Sequence, residues 1–250
     1  MTLGLEGQKV LVTGGSRGIG RACVETFSGL GCDVRFTYLR DDKSADAVVA
    51  AARGRGESVA AIRLDAADPA AYAGLGDAVK NALGGLDILV NNVGDAVRRS
   101  SFADSDDKLW TDSLDLNLLS AVRAVRALRG LLLESKGGVI VNMSSIAAFT
   151  TGAGDSLHYG VAKAALNTFT TGLAREFAGT SLRVVGVAPS AIDTDFQTRH
   201  SSPDRLAKVV AQTPLGRVGT AQEVAWTVAM LASPRSGYVS GAILPVTGGR

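Results

Sequence analysis

The chain has 250 residues, 46% of them hydrophobic and 30 of them glycine, enough to bury a full core in one large domain. Lys and Arg total 26 against 24 Asp and Glu, and a net charge of +2 gives none of the long-range field that a nucleic-acid or membrane-surface partner requires. Small, uncharged-core partners are expected instead.

Met1 to Lys9 hold no basic segment leading into an apolar stretch, and no later run is apolar for the length of a membrane span, so a cytoplasmic protein is expected. The first strand is predicted at Val10–Val12. It runs into Thr13-Gly14-Gly15-Ser16-Arg17-Gly18-Ile19-Gly20 and then a helix from Arg21 to about Leu30, closed by Gly31. Glycines there allow a tight turn and bring backbone N–H groups close to a pyrophosphate, while the helix presents its positive N-terminal end to that anion. Cys23 and Cys32 fall in or just after this helix, outside any CxxC or metal-ligand spacing; they are expected to be reduced packing residues, and no metal is expected.

Further strands are predicted at Val34–Tyr38, Val59–Leu64, Ile88–Val90, Val139–Asn142, Val184–Val187 and Ala242–Val246, separated by Ala-rich helical segments. They are too apolar for a strand with a wet face. The pattern predicts a Rossmann-type doubly wound α/β fold: one seven-stranded parallel sheet with helices on both faces, forming a single domain over residues 1–250. Three long connections, Asp95–Asp107, Phe149–His158 and Asp193–Leu215, follow strand ends, where doubly wound sheets bind ligands. His158 reads as a polar helix-start residue, Trp110 and Trp226 as packing residues, and His200 has no assigned role.

Tyr159 and Lys163 lie four apart at the start of a helix reaching about Phe177, which places them on one face. An ammonium beside a phenol favours the phenolate and lowers its pKa from about 10, making it a proton-transfer group near neutrality. A Ser pair, Ser144-Ser145, precedes them at a strand end. Asn117 lies in an intervening helix.

Together these segments resemble the short-chain dehydrogenase/reductase family. Gly14, Gly18 and Gly20 match its TGxxxGxG loop, Asn91-Asn92-Val93-Gly94 its NNAG element, and Ala188-Pro189-Ser190-Ala191-Ile192-Asp193-Thr194 its PGxIxT segment. The resemblance covers essentially the whole chain and is similar in motif to the 3-oxoacyl-(acyl carrier protein) reductase and ketoreductase branch. It implies a Ser145–Tyr159–Lys163–Asn117 tetrad. In it Ser145 holds the substrate oxygen, Tyr159 protonates it, Lys163 lowers the Tyr pKa and binds the nicotinamide ribose, and Asn117 holds a water linking Lys163 to solvent. The implied cofactor contacts are Gly14, Ser16, Arg17, Gly18, Ile19, Gly20, Asp65, Ala66, Asn91, Gly94, Pro189, Ile192 and Thr194. Departures are Ser190 for Gly, Ala148 for Gly, Thr247 for Asp, and a Ser145-to-Tyr159 interval one residue longer. The last leaves Ser144 as a rival to Ser145 and the Phe149–His158 loop reshaped.

NADPH is expected over NADH, because Tyr38 stands at the second-strand end where NAD-selective enzymes place an acid. Arg40 and Arg17 are then free to meet a 2′-phosphate, with Asp41 and Asp42 the competing partners. The expected substrate is a small or carrier-bound carbonyl. A homotetramer is expected from the apolar excess on the helices Lys108–Ser135 and Tyr159–Phe177. The alternatives are an NAD-dependent alcohol dehydrogenase and a non-catalytic cofactor-binding regulatory protein.

Overall fold

The computed structural model describes residues 2–250. In chain order the elements are β1 (Lys9–Val12), α1 (Gly18–Gly29), β2 (Asp33–Tyr38), α2 (Asp42–Gly54), β3 (Val59–Arg63), α3 (Leu75–Leu83) and β4 (Ile88–Asn91). Next come α4 (Asp107–Leu114), α5 (Ser120–Glu134), β5 (Val139–Met143), α6 (Ala147–Thr150), α7 (Leu157–Glu176) and β6 (Arg183–Pro189). The last are β7 (Ile192–Asp193), α8 (Asp195–His200), α9 (Pro203–Ala211), β8 (Gly219–Thr220), α10 (Ala221–Ala232) and β9 (Ile243–Val246).

Seven strands form one sheet in the order β3-β2-β1-β4-β5-β6-β9, every pairing parallel, as predicted. Successive side chains of a strand point to opposite faces, and that alternation splits the core. Val10 and Val12 of β1, Ile88 and Val90 of β4, and Val139 and Val141 of β5 pack in one apolar layer with Val24, Phe27, Val224 and Val228 of α1 and α10. Leu11, Leu89 and Ile140, one register position along, pack in the opposite layer with Val79, Leu128 and Leu132 of α3 and α5. Both faces are therefore dry, which accounts for strands apolar at every position. Pro245, which has no N–H to donate, is tolerated because β9 is an edge strand.

The long connections carry more structure than the sequence suggested. Asp193–Leu215 holds α8 and α9, and a second, two-stranded sheet pairs Ile192 with Gly219. Phe149–His158 contains the end of α6 and a turn through Thr151 at φ 67°, Gly152 at φ 63° and Gly154 at φ 99°. The helix predicted over Lys108–Ser135 is interrupted at Asp115–Leu119 by a π-helical turn joining α4 to α5. Such one-residue insertions recur at functional sites.

Strand order reverses at β1, with β2 on one side and β4 on the other. The carboxyl ends of these strands border a cleft of about 620 Å³. Among the described residues, no helix is long and apolar enough to cross a membrane, and no cluster of His, Cys, Asp and Glu has metal-binding geometry.

Candidate active site

One end of the cleft is the turn from β1 into α1. Gly14 and Gly18 adopt left-handed φ of 69° and 54°. A Cβ on Gly20 would sit 2.1 Å from the Gly14 carbonyl oxygen, so only glycine lets α1 begin this close to the loop. Asn92 Nδ2 pins the turn from β4 by donating to the carbonyls of Thr13 and Gly14 at 2.9 and 3.1 Å. No side chain caps α1, whereas Asp41, Asp106, Ser202 and Thr220 cap α2, α4, α9 and α10. The bare first turn of α1, with its unpaired N–H groups and positive dipole end, fits a phosphate.

Gly14, Ser16, Arg17, Gly18, Ile19, Gly20, Arg40, Asp65, Ala66, Gly94, Pro189, Ile192 and Thr194 all line this cleft, together with Ser145, Tyr159 and Lys163. Asp65 accepts from the Ala67 N–H at 3.0 Å and faces the cleft, while the following short helix is capped by Asp68. Two residues expected against the cofactor lie elsewhere. Tyr38 does not line the cleft; its hydroxyl is engaged by Asp42, which with burial holds its pKa above the usual phenol value. Thr37, Leu39 and Asp41 flank Arg40 there instead. Asn91 is buried within the sheet, donating to Asn142 Oδ1 at 2.8 Å. Its amide braces the strands below the cleft.

At the centre, the sheet and α7 bring Ser145, Tyr159 and Lys163 together. Lys163 is 2% exposed, and its Nζ donates to the Met143 carbonyl at 2.8 Å. Burial pulls this ammonium down to about 7. Its Nζ lies 5.8 Å from the Tyr159 ring centroid. The phenol is not lowered as the Tyr–Lys spacing suggested: burial pushes it up to about 12, and the nearby Ser145 hydroxyl is the largest influence pulling the other way. The physical reason is that Lys163 turns to a carbonyl rather than to the phenol oxygen, so desolvation of Tyr159 outweighs the cation.

Both residues of the Ser pair reach the cleft lining, and their hydrogen bonds set them apart. Ser144 is buried and donates to Asn167 Oδ1 at 2.5 Å, inside the packing of α7. Ser145 faces the cleft and accepts from the Ala147 N–H at 3.1 Å. Asn117 sits in the π turn, 1% exposed, behind the cleft wall. It donates to the Asp95 and Ser113 carbonyls at 2.8 and 3.0 Å and accepts from the Asp95 N–H at 3.0 Å. A Cβ on Gly94 would lie 2.7 Å from Asn117 Oδ1 and 2.8 Å from Lys163 Nζ, so a glycine there is what lets the two approach one another.

Several site residues had no signal in the sequence. Asp95 grips α8 through Arg199 and His200, both at 2.5 Å. Asp155 binds Arg99 Nη1 at 2.9 Å and also Arg205 of α9. His200 packs at a tilt against Phe196, with 4.7 Å between ring centroids, and Phe196 lies 6.2 Å from Tyr159. These contacts join residues 50 to 105 apart in the chain, beyond the reach of any local pattern. His158 stands at the start of α7 as expected, yet it is buried: it is 1% exposed, packs edge-on against Trp110 at 6.3 Å, and its ring nitrogens make no close hydrogen bond among the described residues. Burial holds its pKa below the ordinary value. Trp226 is 50% exposed rather than packed within the chain.

Residues 14–250 match the family model described as enoyl-(acyl carrier protein) reductase. The chain is 38% identical over 249 residues to the 3-oxoacyl-(acyl carrier protein) reductase of Escherichia coli, covering 99% of this chain and 98% of that protein. Among solved structures, it superposes on a short chain dehydrogenase from Burkholderia cenocepacia in complex with NADP, with a TM-score of 0.91, 35% identity and 98% of each chain covered. It is also similar to a 7 alpha-hydroxysteroid dehydrogenase complexed with NADH and 7-oxo glycochenodeoxycholic acid, at a TM-score of 0.93 and 30% identity over 99% of this chain and 96% of that one. A glycine-cradled cleft at the sheet reversal, a Tyr and Lys held together in it and these full-length likenesses agree: the chain belongs to the short-chain dehydrogenase/reductase family of NAD(P)-dependent oxidoreductases acting on CH–OH and C=O groups.

Proposed function

We propose that this single domain is an NADPH-dependent carbonyl reductase acting in the cytoplasm on a small or carrier-bound ketone. The observation that carries the reading is the convergence of Ser145, Tyr159 and Lys163 in one cleft with the glycine cradle. The cradle fits a dinucleotide: Gly14, Gly18 and the uncapped start of α1 leave room and donors for a pyrophosphate. When bound, the nicotinamide supplies the hydride.

The chain's own residues do the rest. Ser145 and Tyr159 hold the carbonyl oxygen with two hydroxyls, and Tyr159 passes its proton to that oxygen as negative charge builds on it. A phenol near 12 is still protonated at neutral pH and is thus a ready acid for reduction. Lys163, held against the Met143 carbonyl with its Nζ 5.8 Å from the Tyr159 ring centroid, recharges the phenol by relay rather than by direct contact, and Asn117 fixes the Asp95 backbone behind Lys163. Tyr159→Phe is expected to lower turnover by about 10²- to 10⁴-fold with cofactor affinity nearly unchanged. Stopped-assay rates over a panel of ketones, with an enoyl thioester as comparison, measure this. A Phe variant retaining a tenth of wild-type activity, or turnover of the enoyl thioester alone, overturns the assignment.

Preference for NADPH rests on Arg17 and Arg40, which both line the cleft beside the β2 end where no strand-end carboxylate stands. Asp41 lies near Arg17 yet is occupied as the cap of α2, accepting from Ser44 N–H and Oγ at 2.9 and 2.6 Å. Arg17→Ala or Arg40→Ala is expected to reduce the NADPH-to-NADH ratio of kcat/KM about ten- to a hundredfold, with NADH efficiency nearly constant.

A further inference from the structure

We propose that the carbonyl substrate carries a carboxylate, which docks on Arg99 and Arg205 at the mouth of the cleft; this rests on the carbonyl-reductase reading and names its substrate class as an oxo acid. Arg99 comes from the β4–α4 connection and Arg205 from α9, and both line the same cleft as Tyr159. Asp155 binds both guanidiniums, so one carboxylate is shared between two cations.

The geometry leaves donors over. Arg99 commits Nε to the His200 carbonyl, and Nη1 to Asp155 and, at 3.4 Å, to Ser156 Oγ. Its Nη2 has no hydrogen-bond partner among the described residues, and Arg205 uses only Nη1. A guanidinium can hold two oxygens in parallel; Arg205 keeps its Nε–Nη2 edge free for that, and Arg99 adds its single free Nη2 beside it.

The charge balance points the same way. At the substrate half of the cleft, Arg99, Arg199, Arg205 and Arg250 face in, against Asp95 and Asp195. Asp155 is the one carboxylate in contact with both Arg99 and Arg205. Arg99 feels this: burial first, and the adjacent Arg205 second, hold its guanidinium below the ordinary value. An arriving anion relieves that repulsion in a half-buried site where screening is weak. Arg99 and Tyr159 lie within electrostatic reach of each other, and Ser156, in contact with Arg99, begins the turn of α7 that carries Tyr159. The anion and the carbonyl are accordingly placed on one small molecule, with the spacing between them read from the series of acids below.

Two measurements test this. In the first, oxo acids from 4-oxopentanoate to 6-oxoheptanoate are compared with their methyl esters. Wild type is expected to favour the best acid over its ester by about ten- to a hundredfold in kcat/KM. Arg99→Gln and Arg205→Gln are each expected to remove most of that preference, and Arg99→Lys to restore part of it. Equal turnover of acid and ester by wild type, or an equal fall for both in the Gln variants, means that the arginines only tether the α8–α9 segment and overturns the proposal. In the second, hexanoate, its methyl ester and a matched alkylphosphonate are titrated against the NADPH-loaded protein by calorimetry. Carboxylate binding weakened about tenfold or more by Arg99→Gln is expected. No binding of hexanoate, or tighter binding of the phosphonate, overturns the proposal. Carboxylate binding in a protein that reduces no ketone would instead remove the reductase reading and leave the anion site standing.

Discussion

Lys163 shows how a site residue works against the fold that holds it. Its ordinary pKa of 10.5 falls to about 7 on burial, so between those values the unfolded chain binds a proton that the folded chain has lost. Stability therefore rises with pH from about 7 towards 10.5, by about 1.4 kcal/mol per unit at most, and below 7 the full penalty for a buried ammonium persists. Lys163→Met is expected to flatten that slope and to raise the unfolding midpoint of the cofactor-free protein at pH 7 by about 2–4 °C or more, while activity and cofactor affinity both fall. Denaturant titrations at pH 7 and 9 check it; an unchanged slope would show that Lys163 is not the titrating group. The neighbouring His158 carries the same lesson in another form. Its position before a Tyr at a helix start gave no hint of burial, since that depends on Trp110 arriving from α4.

At the level of elements, what was legible in the sequence is what local chemistry dictates. All seven strands of the main sheet stand within a few residues of their predicted bounds, because β-branched runs between glycine-rich turns have few other options. The glycine loop and the Tyr159–Lys163 spacing were legible for the same reason. The π turn at Asp115–Leu119 was not: Leu114-Asp115-Leu116-Asn117 reads as ordinary helix, and the inserted residue is paid for by Asn117 contacts to Asp95, far along the chain. The α8–α9 segment was likewise hidden, since its contacts to Asp95 and Asp155 exist only once the sheet is assembled. The glycine loop gives a sharp test. A Cβ at Gly20 meets the Gly14 carbonyl oxygen at 2.1 Å and Asn92 Nδ2 at 2.5 Å, whereas Gly54 has nothing within 4 Å. Gly20→Ala is expected to weaken NADPH binding by about tenfold or more and to cost about 1–3 kcal/mol of stability. Gly54→Ala, at the end of α2, should leave binding unchanged and gain up to about 1 kcal/mol. Cofactor fluorescence titration beside thermal unfolding separates the two, and equal affinities would mean that the loop tolerates expansion.

On the scale of the whole molecule, large apolar side chains remain exposed on helices that flank the sheet on both sides. Leu119, Leu133 and Val161 are 37%, 41% and 42% exposed on the π turn, α5 and α7, while Trp226, Met230 and Leu244 are 50%, 45% and 37% exposed on α10 and β9. A tetramer with three two-fold axes requires two independent interfaces, and we expect these two sets of side chains to supply them. A homotetramer is the expected state, and light scattering at micromolar concentration checks it; replacing Trp226 and Met230 by Asp and Lys should yield dimers, and a wild-type monomer would refute the expectation. The strand order has a consequence of its own, in time rather than in space. Because every pairing is parallel, none can form as a hairpin: Val10 must wait for Ile88, and Gly186 for Ile243. Closing such loops is uphill until the crossing helices dock, so a refolding chain passes through a period with strands as apolar as Val139–Met143 uncovered. Recovery from denaturant should accordingly be slow and fall as protein concentration rises, because partly formed sheets meet one another before they are finished.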